Sequence, residues 1–108
     1  MQRLHCSQDI EQMFREGKLI SKEGLQMRVK ANDCGDIRLG IIIPKKRVPL
    51  AVKRNRTKRL LREAWLSVVT EYQISGLDVL LIVVNKKHPR SFHEYRENLV
   101  HCSQTQFI

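Results

Sequence analysis

Aromatic residues are scarce in this chain: Phe, Trp and Tyr make up 6% of its 108 positions. A broad surface of stacked rings, one common way to hold successive bases, is therefore not available. Cysteine is equally sparse. Cys6, Cys34 and Cys102 leave an odd thiol under any pairing, and no CxxC occurs. That argues against a disulfide framework and against the usual zinc ribbons. No signal peptide is visible, and no apolar run approaches the roughly 20 residues that a membrane helix needs. A reducing cytoplasm is the default location. Linkers, long repeats and low-complexity tracts are missing too, so residues 1–108 read as one domain with a modest core. The tetrapeptide HCSQ occurs at 5–8 and again at 101–104. Adjacent His and Cys on a helix point about 100° apart, which suits a shared metal badly, and coincidence is the better reading.

The most informative absence is local. Residues 45–62 contain none of the 11 Asp and Glu but nine of the 20 Lys and Arg. The remaining basic and acidic residues balance, so the whole net charge of +9 resides in that one stretch. A polyanionic partner is the natural counterpart.

Hydrophobic spacing orders the elements. Ser7 is placed to cap a first helix that ends before Gly17, with Ile10, Met13 and Phe14 on its buried face. Leu25–Val29 alternates as a half-buried strand, and 32–36 supplies a turn. Ile37–Ile43 is a second strand stopped by Pro44, with Gly40 marking close backbone approach. A long helix is expected from near Pro49, which suits a first helical position, to about Tyr72, with Ser75-Gly76 breaking it. Leu60, Leu61, Ala64, Trp65 and Val68 form its buried stripe. Val79–Val84 is apolar throughout, as a strand covered on both faces should be. Ser91-Phe-His-Glu94 is a capping box that opens a last helix with Phe92, Tyr95 and Leu99 inward. Mixed helices and at least three strands give an α+β class or a small α/β sandwich.

Within the long helix, Arg56, Lys58, Arg59 and Arg62 lie opposite the apolar stripe, while Lys53 and Arg54 fall nearer to it in the first turns. A solvated face ordinarily mixes signs, because like charges at i, i+4 repel. Here Arg54–Lys58 and Lys58–Arg62 are like-charged pairs without an acid to relieve them. Phosphates in the working state would offset that repulsion. Asn55 offers a donor and an acceptor to a base edge or a 2′-hydroxyl. Lys45, Lys46 and Arg47 extend the patch, Arg holding phosphate oxygens in pairs and Lys adding point charge. A basic-zipper protein would continue into heptads, and a helix-turn-helix protein lacks such strands. RNA therefore fits better than DNA, although composition alone leaves both open.

The run Gly40-Ile-Ile-Ile-Pro-Lys-Lys46, followed after a short spacer by Ala51-Val-Lys-Arg-Asn-Arg-Thr-Lys-Arg-Leu-Leu-Arg-Glu-Ala-Trp65, resembles the bacterial ribonuclease P protein component. Arg54-Asn55-Arg56 followed by Lys58-Arg59 looks like that family's RNR signature. Phe14-Arg-Glu-Gly17 and Leu77–Val84 extend the likeness over most of the chain. The resemblance implies an αβββαβα sandwich around a central mixed sheet, with a rare left-handed βαβ crossover that the general handedness rule would not supply. It also implies one strand more than the spacing shows, for which 18–21 is the candidate. The implied role is the small subunit of a ribonucleoprotein that removes 5′ leaders from precursor tRNA, in a 1:1 complex of a monomeric protein with ribonuclease P RNA. The RNA performs the hydrolysis with magnesium; the protein holds no cofactor stably and touches neither membrane nor DNA. Carried over by position, Lys45, Lys46, Lys53, Arg54, Asn55, Arg56, Lys58, Arg59 and Arg62 would face the partner RNA. Ile10, Phe14 and Arg28 would belong to a cleft for the single-stranded leader. Family members usually have an aromatic residue where Ile10 stands, and Arg28 matches a position that can be aromatic, so leader contact here would lean on charge. Pro44 before the Lys-Lys pair is a second departure.

The residues themselves show no grouping of nucleophile, base and orienter. His5, His88, His93 and His101 are scattered, and no paired carboxylates have two-metal spacing. Two rival readings stay open at this level. One is a small protein nuclease using His88 or His93 as general base; the other is a basic ribosomal or RNA-chaperone protein without a role in cleavage.

Overall fold

A computed structural model describes residues 1–4, 6–85 and 91–106. Its elements are β1 (Gln2–Arg3), α1 (Ser7–Glu16), β2 (Lys18–Lys22), β3 (Leu25–Ala31), β4 (Arg38–Ile42), α2 (Ala51–Tyr72), β5 (Leu77–Val83) and α3 (Phe92–Gln106). This is an α+β domain whose five strands form one mixed sheet in the order β1-β4-β5-β3-β2. The implied αβββαβα order is present, preceded by the two-residue β1. The strand expected at 18–21 is β2, joined to β3 by Glu23 and Gly24 with φ of 49° and 79°. Two residues of positive φ make the tight turn whose twist matches a hairpin.

β5 explains its own composition. Val79, Leu81 and Val83 pack with Leu61, Ala64, Trp65, Val68, Tyr95 and Leu99, whereas Leu80 and Ile82 pack with Leu4 and Met13. Successive side chains point to opposite faces, so α2 and α3 cover one face and α1 the other. Each fully buried aliphatic side chain contributes roughly 1.5–3 kcal/mol. β4 and β5 run parallel, with Arg38 opposite Asp78 and Ile42 opposite Ile82, and α2 is the crossover between them. Gly40 is where close approach is needed: a Cβ there would lie 2.9 Å from the Leu4 carbonyl oxygen and 3.0 Å from Leu80 Cδ1.

Several expectations need correction. The N-cap of α1 is Cys6, not Ser7, and no side chain caps it. Phe14 is 45% exposed, because α1 crosses the sheet with Met13 beneath it. Pro49 precedes α2 instead of opening it: Leu50 is extended, and the first helical bond runs from the Arg54 N–H to the Leu50 carbonyl. Leu60 is only half-buried, at the border of the stripe. Phe92 is exposed, since the first turn of α3 overhangs the core that Tyr95 and Leu99 enter. The Ser91 cap itself is present, its Oγ accepting from the Glu94 N–H at 3.2 Å. His5, the first residue of the first HCSQ, and His88 lie outside the described residues.

Candidate nucleic-acid interface

The uncompensated cations occupy the β4–α2 connection and the first three turns of α2. Lys45, Lys46, Lys53, Asn55, Arg56, Arg59 and Arg62 are exposed; Arg47, Arg54 and Lys58 are half-buried. The first turn of α2 holds no acid, and no side chain caps it. Its unpaired N–H groups and the positive end of the helix dipole add to the potential of the lysines and arginines.

Proximity divides these residues in a way that their spacing alone does not show. Arg54 turns back: its Nη1 donates to the carbonyls of Val48 and Pro49 at 3.1 and 2.7 Å. Four and eight residues on, Lys58 and Arg62 reach a recess of about 180 Å³ at the β4 edge. Its floor is Gly40, Ile42 and Leu80, and α1 contributes Ile10. β1 is too short to cover this part of β4, so the edge stays open between the two helices. Arg3 joins the rim, a cation that the sequence did not single out. Arg56, Arg59 and Lys53 are left on the outer surface.

On the α1 face, Ile10 and Phe14 are one helical turn apart and so share a side of α1. Arg28 stands opposite Leu80, in register with Gly40 on β4. Its guanidinium lies 4.8 Å from the centre of the Phe14 ring, and its Nη1 donates to the Phe14 carbonyl at 3.3 Å. The three residues named for a cleft thus stand along one side of α1, ending at Lys58 and Arg62. Arg28 Nε is buried without a partner, which leaves a donor at the Phe14–Arg28 stack. Leu19, opposite Arg28 on β2, is 48% exposed and continues that surface.

The α1 face also carries a polar network that sequence reasoning missed. Arg38 binds Asp78 through Nε–Oδ1 at 2.7 Å and Nη2–Oδ2 at 2.5 Å, and reaches Asp9 of α1 at 3.3 Å. Asn32 donates to the same Asp78 Oδ1 at 2.9 Å. Burial by itself pushes the Asp78 carboxyl up; the hydrogen bonds from Arg38 and Asn32, with the Arg38 charge, outweigh it and hold the group below the usual carboxylate range. The only sequence signal was an Asp inside an apolar strand, which needs a partner when buried.

His93 and Glu97 pair at 2.9 Å on the open surface of α3. Among the described residues, no three His, Cys, Asp or Glu are gathered so as to hold a metal ion. No described helix is long and apolar enough to cross a membrane.

A mixed sheet with one helix whose first three turns are cationic and free of acids, crossing beside an open edge, defines a small basic α+β protein of the nucleic-acid-binding class. The family model described as Ribonuclease P matches residues 1–105, and the chain belongs to that family. A ribonuclease P protein component from Nitrosococcus oceani is 33% identical over 104 residues, covering 93% of this chain and 79% of the relative. One from Clostridium botulinum is 29% identical over 98 residues, covering 91% and 87%. Among solved structures, the RNase P protein of Staphylococcus aureus superposes with a TM-score of 0.82 at 22% identity, covering 100% of this chain and 97% of that one. The RNase P protein from Thermotoga maritima gives 0.72 at 25% identity, with 94% of each chain covered. Membership makes the chain a ribonuclease P protein subunit, whose counterpart in the endoribonuclease complex is the ribonuclease P RNA.

Proposed function

We propose that this protein binds ribonuclease P RNA through the outer cations of α2 and the 5′ leader of precursor tRNA along α1, and so assists 5′ maturation of tRNA in the cytoplasm. The observation that carries the reading is the junction of the two surfaces. The acid-free first three turns of α2 and the Ile10–Phe14 side of α1 meet at one recess, with Lys58 and Arg62 shared between them. Lys45, Lys46, Lys53, Asn55, Arg56 and Arg59 face outward for phosphates of the partner RNA. Arg54 supports them by fixing the chain that leads into the helix. Ile10, Phe14 and Arg28 hold the leader, the Phe14–Arg28 stack taking the place of a second ring. Hydrolysis belongs to the RNA and its magnesium; the protein supplies position and charge, as a monomer in a 1:1 complex.

Reconstitution tests this. Protein, a bacterial ribonuclease P RNA and precursor tRNA at low magnesium should give 5′ maturation faster than RNA alone. An unchanged rate would favour the ribosomal or chaperone reading. Cleavage by RNA-free protein, lost on His93→Ala, would favour a protein nuclease.

A further inference from the structure

Two aliphatic side chains stand where local rules of helix building would not put them. Leu50 occupies the N-cap of α2 and is 59% exposed; Val52, in the first turn, is 80% exposed. An N-cap favours Ser, Thr, Asp or Asn, and an exposed β-branched residue is a weak helix former. Neither joins the core, which Val48 enters instead at 7% exposure. The tip is nevertheless braced, because Arg54 donates to the Val48 and Pro49 carbonyls that precede it. Exposed Lys45, Lys46, Lys53 and Arg56 flank the pair along the chain, with no carboxylate anywhere in 45–62. A matching partner must be anionic at the rim and apolar at the centre. An unstacked base between two phosphates has that pattern. An anionic membrane shares the charge, but Leu61, Ala64, Trp65 and Val68 of α2 are turned into the core, and exposed Leu66 lies about four turns along the helix, so at this tip two side chains are all that a bilayer could receive.

Resting on the reading of α2 given above, we propose that Leu50 and Val52 form an apolar wedge that packs against an unstacked base of the partner RNA, while the flanking lysines and arginine hold its phosphates. Phosphate contacts are insensitive to sequence and to place. An apolar seat is filled only where a base is splayed from its stack, as in loops and bulges. The wedge would thereby choose where on the RNA the cationic helix settles.

The test uses Leu50→Ser with Val52→Ala, two changes that improve the local helix and so spare the fold. The probe is ribonuclease P RNA. The double variant should melt no lower than the parent and bind about tenfold more weakly, ~1.4 kcal/mol, with an unchanged log–log salt slope. A base protected from a base-modifying reagent by the parent protein should become reactive. Equal affinity, or a flattened slope, overturns the wedge alone. Binding to phosphatidylserine vesicles that vanishes in the double variant, with RNA affinity intact, overturns it in favour of a membrane contact. Failure of the parent protein to bind the RNA would remove the parent reading and the wedge together.

Discussion

Arg54 and Arg56 are two residues apart in the same signature, and the structure gives them different surroundings. Arg56 is exposed, whereas Arg54 is half-buried and bonded to the Val48 and Pro49 carbonyls. Alanine at the two positions should therefore separate affinity from stability. Of the nine cations in 45–62, six are exposed. If each neutralises one phosphate at about −0.7 to −0.9 per contact, the log–log salt slope for partner RNA is roughly −4 to −5. Arg56→Ala should flatten it by about one unit and leave the melting temperature nearly unchanged. Arg54→Ala should leave the slope within about half a unit but remove two hydrogen bonds, costing about 1–2 kcal/mol after allowance for solvent. In a domain of this size that lowers Tm by roughly 5–10 °C. The assay is RNA affinity across a potassium chloride series beside a thermal melt, with exposed Arg15→Ala as the control. Equal flattening by both substitutions, with no loss of Tm for Arg54→Ala, would refute the division of labour.

Three further outcomes follow from the other face. Arg38→Ala strands the Asp78 carboxylate, whose side chain is 8% exposed, and should cost about 3–5 kcal/mol, read as a lower urea midpoint. Because the Asp78 carboxyl titrates below its ordinary value of 3.8, its stabilising effect is complete above that pH and is lost as pH falls below it towards the lower folded value; Asp78→Asn should make the acid limb of the stability curve shallower. Gly40→Ala forces a methyl against the Leu4 carbonyl and should cost about 1–3 kcal/mol, with faster amide exchange at Gln2 and Leu4; an unchanged melt would show that β1 is not held at Gly40.

Much of this protein was fixed locally and could be read from its sequence. The period of α2, the capping serine of α3, the all-apolar run of β5 and the glycine of β4 each follow from short-range rules, because side-chain periodicity reports which face is buried. The charge patch was legible for the same reason: it is contiguous in the chain. Tertiary structure decided what depends on distance in space. β1 is two residues long, and only its pairing with β4 makes it a strand. Phe14 and Phe92 look inward by spacing but lie where a helix overhangs its neighbours. Asp78 becomes tolerable only because Arg38 and Asn32, 40 and 46 residues away, converge on it. Within 45–62, composition gave nine equivalent cations. Packing against the sheet edge made one of them a backbone clamp and turned two toward a recess, since a charge acquires its role from what surrounds it and not from its place in the chain.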